Sequence, residues 1–356
     1  MYITTMHLYK KILNICFILT LLLLASCNNE AQIPAKIVSF EEAFQFKKKI
    51  YLDERVKLKS IQSLHADTNG NLLLFDLFSN QVVLVDKDGR LIKNITPESC
   101  HPGHNWKPKA ANFNDKGQIL IITSTGEIYW FSSLGECIVR SASTNNSPGG
   151  HLTFDDRGDF YFRPLIPIET YVQRSDSLGK LRMKFKVENS LPTYTGFAGI
   201  APIASDGQNI WIPLTHFDGF YVYSKEGKKL KTVKYASPSF KSPQKDLSTR
   251  DTDKLIKNIG EISSLVSFLK TKSGAVSIYI HRHNLLNNRD KQIGISIFDE
   301  YQNNMRYILT DERGSFIGNN GNNLFYTSFI PTKVDTAQCK KCGTNTTMGL
   351  NEYQLR

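Results

Sequence analysis

The feature that most constrains the fold is a short glycine turn that recurs six times along the 356-residue chain. Glycine and asparagine tolerate positive φ, so such dipeptides favour tight turns between antiparallel strands. Successive glycines lie 47, 41, 49, 67 and 47 residues apart, and an apolar run follows each of them. The six turns are Asn69-Gly70, Lys116-Gly117, Arg157-Gly158, Asp206-Gly207, Ser273-Gly274 and Asn320-Gly321.

The stretch from Ile61 to Ile95 contains one whole repeating unit, in which turn dipeptides separate short apolar runs. It is typical of four short strands. A unit of this size cannot bury both faces of its own sheet, so the copies must pack on one another. Six copies predict an all-β fold, namely a six-bladed β-propeller made of four-stranded antiparallel blades.

The two ends of the chain agree with this count. The sixth copy runs out after Gly349–Leu355, which supplies a third strand and leaves no residues for a fourth. The segment from Lys36 to Phe46, or the one from Ile50 to Leu58, precedes the first repeat and is available to complete the last blade. Such pairing removes an exposed sheet edge. We therefore expect a single propeller over residues 37–356.

An insertion before the fifth blade interrupts the strand pattern from Asp251 to Leu269. Its apolar residues recur at helical spacing after polar residues that favour helix starts. The pattern predicts a short amphipathic helix packed on the propeller face. The apolar positions are Leu255, Ile256, Ile259, Ile262 and Leu265.

The N-terminus predicts export. Lys10-Lys11 precedes an apolar run, and small residues follow it, which is the pattern of a secretory signal. Leu24-Ala25-Ser26-Cys27 resembles the lipobox of bacterial lipoproteins. The resemblance implies a signal peptide over residues 1–26, diacylation of Cys27 and a lipidated tether over residues 27–36. Asn28, rather than aspartate, implies sorting to the outer membrane; an ordinary signal peptide or an anchor helix is the alternative.

The formal net charge of +11 favours anionic partners by long-range attraction. The positive residues are scattered, and no basic stripe alternates with aromatic residues. We therefore predict no nucleic-acid partner. The expected partners are the membrane, through the lipid anchor, and a protein, peptide or glycan of the envelope.

Two of the repeats carry the pattern D-x-x-G-N/D followed by three apolar residues, at Asp67–Leu74 and Asp155–Phe162. This pattern resembles the NHL-type six-bladed propellers. Together with the lipobox, the chain is similar to the propeller lipoproteins of Bacteroidetes-type bacteria. The wider fold includes binding proteins, a lyase and lactonases, so the resemblance concerns architecture and leaves function open.

In a propeller built of such meanders, the turns between strands one and two, and between three and four, lie on one face. The other loops and the connections between blades lie on the opposite face, and they contain nearly every unusual residue. Because binding sites lie on loops held by a rigid scaffold, we expect that face to bind the ligand. The candidate binding residues are His101, His104, Trp106, Tyr194, His216, His281, Arg282 and His283.

Histidines raise the alternative of a metal site. His281 and His283 are two residues apart at the end of a strand, and with a histidine from another loop they could bind zinc or copper. The innermost strands offer His65, Asn112 and His151, whose unequal register argues against a metal site inherited from propeller lyases or lactonases. No cofactor is predicted, and a metal remains an open alternative.

Four cysteines remain after Cys16 and Cys27 are set aside, and an even number in an exported protein favours disulfides. Cys339 and Cys342 form a C-x-x-C pair, which could be a disulfide, a redox pair or half of a zinc site. Gly343 stands where haem attachment requires histidine. We favour a Cys339–Cys342 disulfide, and a second one between Cys100 and Cys137.

No motif for nucleophilic catalysis, phosphate binding or paired-carboxylate chemistry is present. The acidic pairs Asp155-Asp156 and Asp299-Glu300 occupy turn positions, where we expect them to accept hydrogen bonds from turn amides. The first hypothesis is a membrane-anchored binding or scaffold propeller that uses its loop-rich face. The alternative is a periplasmic or surface enzyme of the propeller lyase, lactonase or quinoprotein-like class, with or without a metal.

Overall fold

A computed structural model describes residues 32–103, 106–141, 144, 146–164, 171–187, 202–213, 218–242, 263–282, 291–310, 314–328 and 349–356. These residues are almost entirely β-structure, with one short helix, α1 (Phe40–Ala43), and one 3-10 turn (Pro97–Ser99). Within them, no helix has the length and apolarity needed to span a bilayer.

The strands follow one another closely, as the turn spacing predicts. They are β1 (Ile33–Ile37), β2 (Phe44–Tyr51), β3 (Ser63–Ala66), β4 (Leu72–Asp76), β5 (Gln81–Val85), β6 (Leu91–Ile95), β7 (Pro108–Phe113), β8 (Ile119–Thr123), β9 (Ile128–Phe131), β10 (Cys137–Ser141), β11 (Pro148–Phe154), β12 (Phe160–Pro164), β13 (Tyr171–Ser175), β14 (Leu181–Lys186), β15 (Ala204–Ser205), β16 (Asn209–Pro213), β17 (Gly219–Ser224), β18 (Lys229–Ala236), β19 (Ser263–Lys270), β20 (Gly274–Arg282), β21 (Lys291–Asp299), β22 (Asn304–Thr310), β23 (Gly314–Asn320), β24 (Asn323–Ser328) and β25 (Gly349–Leu355).

Five runs of four consecutive strands pair as antiparallel meanders: β3–β6, β7–β10, β11–β14, β15–β18 and β19–β22. A sixth run, β23–β25, takes its fourth strand from the other end of the chain. β2 pairs antiparallel with β25, from Phe44 opposite Leu355 to Tyr51 opposite Gly349. The expectation that an N-terminal segment completes the last sheet is confirmed, and the strand overlaps both segments that we considered.

The hydrogen-bonded sheets are larger than single meanders, with nine, eight, four and four strands. Parallel pairing of β23 with β3 creates the eight-stranded sheet. In the nine-stranded sheet, β1 lies between β18 and β22 and pairs with both in parallel. Residues 33–36, which we expected in the tether, are therefore strand residues, because two open sheet edges supply partners for their backbone groups.

The first strands of the six runs contact one another in a closed ring, in the order β3, β7, β11, β15, β19, β23 and back to β3. These strands are therefore the innermost ones. The architecture is all-β and propeller-like.

Each sheet buries both faces against its neighbours, which explains why strands such as Leu72–Asp76 are apolar at successive positions. In β4, Leu73 and Phe75 pack on Ile119 and Phe131 of the second meander. Leu72 and Leu74, on the other face, pack in a cluster that contains Ile317 and Phe325. Alternate residues of one strand thus belong to different hydrophobic cores.

The predicted helix is wrong at its C-terminal end. Leu265 lies in β19, where it pairs with Tyr279 of β20. Phe268 of the same strand is buried in the cluster with Trp211 and Phe298. Strand pairing and this packing outweigh the helical spacing of the apolar residues. The rest of the predicted helix, residues 251–262, lies outside the described residues.

Cys100 and Cys137 form a disulfide, with their Cα atoms 5.4 Å apart. This pairing was predicted, and it links the connection after β6 to the start of β10. Cys27, Cys339 and Cys342 lie outside the described residues, so the lipidation and the second disulfide stay predictions.

Replacing both Cys100 and Cys137 with serine should lower the free energy of unfolding. The bond closes a loop of 37 residues, for which chain entropy predicts a loss of about 4 kcal/mol. Urea unfolding of the wild type and the double variant, each with and without reductant, measures this. If Cys339 and Cys342 are also bonded, the double variant will still respond to reductant. An unchanged free energy in the double variant would contradict the prediction.

Candidate functional site

The two ends of the meanders differ in their chemistry. We call the end that carries the short turns the turn face, and the opposite end the loop face. The turn face comprises residues 67–71, 86–90, 114–118, 132–136, 155–159, 176–180, 206–208, 225–228, 271–273, 300–303 and 321–322.

Most polar side chains at the turn face bond within their own turns. Asp67 Oδ1 accepts hydrogen bonds from the backbone N–H groups of Asn69 and Asn71, at 2.9 and 2.8 Å. Asp155 and Asp299 accept turn amides in the same way, which confirms the expectation for these two residues. Equivalent acceptors are Asp86, Asn114, Ser132, Asp176, Asp206, Ser224 and Thr271. The expectation is wrong for Asp156 and Glu300, which instead accept from the side chains of Lys225 and Lys270, at 2.6 and 3.3 Å.

Buried polar atoms near the loop face are different. Several of them have no hydrogen-bond partner among the described residues, and lie at the loop-face end of a strand or next to it. An unpaired buried donor or acceptor costs about 1–3 kcal/mol. These atoms include Gln62 Oε1, Ser63 Oγ, Ser147 Oγ, Arg163 Nη1 and Tyr235 OH.

Two histidines lie on the ring of innermost strands, His65 on β3 and His151 on β11. Burial lowers the pKa of His65 to about 3, and nearby His151 adds to this effect. Burial also lowers the pKa of His151 to about 4. Both side chains are therefore neutral at pH 7. The buried Nε2 atom of each has no hydrogen-bond partner in the described part of the chain.

Asn112, on the innermost strand between them, is used structurally. Its Nδ2 donates to the backbone oxygen of Leu152 at 2.9 Å, and its Oδ1 accepts from the backbone N–H of Phe113 at 2.8 Å. Of the three polar residues that we identified on the innermost strands, only the two histidines keep an unpaired nitrogen.

Arg163 lies near the loop-face end of β12 and is only 5% exposed. Burial lowers the pKa of Arg163 to about 10, and the Tyr223 hydroxyl slightly opposes this shift. Even so, its guanidinium is positively charged at pH 7. No ion pair of Arg163 occurs within the described ranges. Arg163 was not among the residues predicted from the sequence. One signal was present, because Arg163 is a charged residue inside the apolar strand Phe160–Pro164.

Asp218 precedes β17 directly, and its side chain is buried between β17 and β21. Its Oδ2 accepts hydrogen bonds from the Oγ atoms of Ser237 and Ser296, the latter at 2.6 Å. Burial raises the pKa of Asp218 to about 6, although hydrogen bonds from Ser237, Ser296 and Tyr279 oppose the shift. Burial and the Asp218 carboxylate together raise the pKa of Tyr279 and Tyr235. Asp218 was not among the residues predicted from the sequence, whereas its neighbour His216 was.

The predicted binding residues are only partly described. Trp106 packs edge-on against Tyr129 and Phe131, with ring centroids 5.7 and 6.2 Å apart. His101 follows the 3-10 turn, and its backbone N–H donates to Pro97 at 2.6 Å. The backbones of His281 and Arg282 end β20, opposite Gln292 and Lys291.

The remaining candidates, His104, Tyr194, His216 and His283, lie outside the described residues. Their convergence with His281 on one site therefore stays a prediction. In the described part of the chain, no three His, Cys, Asp or Glu side chains are close enough to bind one metal ion.

Comparison with known proteins concerns the fold. No protein-family model and no curated protein sequence matches this chain. It is similar in structure to a Bacteroides fragilis protein inferred to be exported, with 12% identity, a TM-score of 0.66, and coverage of 92% of this chain and 100% of that one. A DUF4221 member from Bacteroides vulgatus is also similar, with 13% identity, a TM-score of 0.58, and coverage of 88% and 97%. Identities this low show a shared fold alone.

Replacing Asp218 with asparagine should stabilise the protein at neutral pH. The folded state holds the Asp218 proton more tightly than the unfolded state, so wild-type stability falls as pH rises from about 4 to about 6. The difference from the usual pKa of 3.8 amounts to about 3 kcal/mol. The asparagine side chain would keep an acceptor for both serines. Urea unfolding should show Asp218→Asn more stable than wild type at pH 7.5, with the difference vanishing near pH 4.

Asp76→Asn is the matched control. Burial alone would raise the pKa of Asp76, but hydrogen bonds from Ser79, Ser60 and Lys59 lower it below the usual value. Its contribution to stability is present at neutral pH and is lost on acidification, which is the opposite sign. Equal pH dependence in the two variants would contradict the assignment of a raised pKa to Asp218.

Proposed function

We propose that the chain is a six-bladed β-propeller, anchored by lipid on Cys27 to the bacterial cell envelope, that binds a protein, peptide or glycan through its loop face. The observation that carries the binding function is the difference between the two faces. Most turn-face acceptors bond the amides of their own turns, whereas several buried polar atoms near the loop face have no partner among the described residues. A ligand that pairs with those atoms recovers the cost of leaving them unpaired.

The six-blade assignment is supported by the five runs of four strands, by the sixth run that β2 completes, and by the closed ring of their first strands. In this proposal β2 is the outer strand of the sixth blade. The parallel junctions through β1 and between β23 and β3 then lie between blades, which explains why the hydrogen-bonded sheets exceed four strands.

Location in the envelope is supported by three observations. The lipobox-like Leu24–Cys27 precedes the tether. The Cys100–Cys137 disulfide is of a kind that forms and persists in exported proteins. The similar fold from Bacteroides fragilis belongs to a protein inferred to be exported. The outer membrane is the proposed destination because Asn28 follows the lipidated cysteine.

Replacing Cys27 with alanine should remove the protein from the outer membrane. Acyl chains supply about 0.8 kcal/mol per buried CH₂, and the variant has no thiol to accept them. Fractionation of cells should find the wild type in the outer membrane and Cys27→Ala in a soluble or inner-membrane fraction. A variant that stays in the outer membrane would exclude lipidation of Cys27 as the anchor.

Phe78 and Leu178 offer a matched test of which face binds. Phe78, in the β4–β5 loop, is 72% exposed at the loop face, and Leu178 is 66% exposed at the turn face. Phe78→Glu should weaken binding of the purified full chain to isolated envelope material several-fold, measured by biolayer interferometry. Leu178→Glu should leave it unchanged. The reverse result would assign binding to the turn face, and an absence of wild-type binding would contradict the function.

A further inference from the structure

Arg163 differs from other buried cations of the same region. On the neighbouring strand β13, Arg174 Nε lies 2.8 Å from Asp159 Oδ2, and its Nη2 lies 3.6 Å from Asp155 Oδ2. Lys225 Nζ lies 2.6 Å from Asp156 Oδ1. Arg163 is at least as buried as these residues, yet no carboxylate pairs with it in the described part of the chain, and its Nη1 has no hydrogen-bond partner there.

A buried guanidinium without a carboxylate partner among the described residues is an unusual arrangement because this group does not deprotonate in proteins. A buried carboxylate such as Asp218 can reduce its desolvation cost by taking up a proton. Arg163 has no equivalent means of losing its charge, so its environment must supply an anion or bear the cost. Chain residues of the described ranges do not supply one.

Two neutral polar groups lie at the same end of the same strand pair. Pro148 of β11 pairs with Pro164 of β12, and Leu152 pairs with Phe162, with an irregularity between them. Residues 149–151 of β11, which include His151, therefore face the single residue Arg163 in this interval, and Ser147 directly precedes Pro148. Ser147 Oγ and His151 Nε2 are both buried and without a partner among the described residues.

The alternation of side chains along β12 places Arg163 on the side of the strand opposite to Phe160 and Phe162. Phe160 and Phe162 pack in a cluster with Leu152. Tyr161 packs on the opposite side, with Ile212 and Tyr223 of the next meander. Arg163 shares the side of Tyr161, because successive strand residues point to opposite faces. The cation is therefore held between two meanders, close to the loop face.

We propose that the loop-face end of β11 and β12 binds a compact oxyanion, a carboxylate, phosphate or sulfate group, with Arg163 as its charged partner and Ser147 and His151 as neutral hydrogen-bonding groups. This inference names the chemical class of the ligand and rests on the proposed function. A guanidinium binds such groups in bidentate fashion. The net charge of +11, which becomes +9 without Lys10 and Lys11 of the signal peptide, attracts anions to the protein from a distance.

The test uses the purified full chain in detergent, with inorganic phosphate and succinate as probes at constant ionic strength set by sodium chloride. Melting temperature and calorimetric titration are measured for wild type, Arg163→Met, Arg163→Lys and the control Arg174→Met. At least one probe should raise the wild-type melting temperature. Arg163→Met should lose at least roughly tenfold in affinity, because hydrogen bonds to charged groups are among the strongest.

The control separates anion binding from a general loss of charge. Arg174→Met breaks an existing ion pair, so it should lower the melting temperature and keep the response to the probe. Without a probe, Arg163→Met should melt no lower than wild type, because it removes an unpaired buried charge. Should Arg163→Met fail to fold, Arg163→Lys decides: it keeps the charge, loses the bidentate geometry and should bind the probe measurably more weakly.

Two results would overturn the inference: no probe changes the wild-type melting temperature, or the probe stabilises Arg163→Met as strongly as wild type. Response to phosphate but not succinate would assign the site to tetrahedral anions, and the reverse to carboxylates. Binding to envelope material is measured in parallel. Envelope binding without an anion response rejects this inference and keeps the proposed function. An anion response without envelope binding keeps this inference and contradicts the proposed function.

Discussion

The pairing of β2 with β25 is the contact on which the rest of the structure depends. Every sheet of this chain is apolar on both faces, so each needs a neighbour on either side. A row of such sheets would leave an apolar face at each end, whereas a closed ring leaves none. The register from Phe44–Leu355 to Tyr51–Gly349 joins the two ends of the chain and covers the open edge of the last run of strands.

The turn face and the loop face of the closed ring differ in their chemistry. At the turn face, the turns are short, and in nearly all of them an aspartate, asparagine, serine or threonine accepts hydrogen bonds from the turn amides. At the loop face, many connections between strands are longer. Several of the unpaired buried polar atoms among the described residues therefore lie near the loop face.

Two buried charges of opposite sign flank the fourth meander, Arg163 before it and Asp218 within its interface to the fifth. The same physics acts on both, since low dielectric penalises each charged form. The outcome differs because a carboxyl group can be protonated near pH 6 and a guanidinium remains charged. The burial cost of Asp218 consequently depends on pH, while Arg163 keeps its charge and its burial cost at neutral pH.

The sequence by itself determined the all-β fold and the position of nearly every turn, because these depend on local preferences. The Cys100–Cys137 disulfide was one of the pairings the cysteines allowed, and the structure confirmed it. Only the tertiary structure decided that Ile33–Ile37 is a strand between β18 and β22, and that Leu265 belongs to a strand and not to a helix. It also singled out Arg163 and Asp218. The reason is physical: whether an edge is open, an apolar residue is matched or a charge is unpaired depends on residues far away in the chain, which meet only when the ring closes.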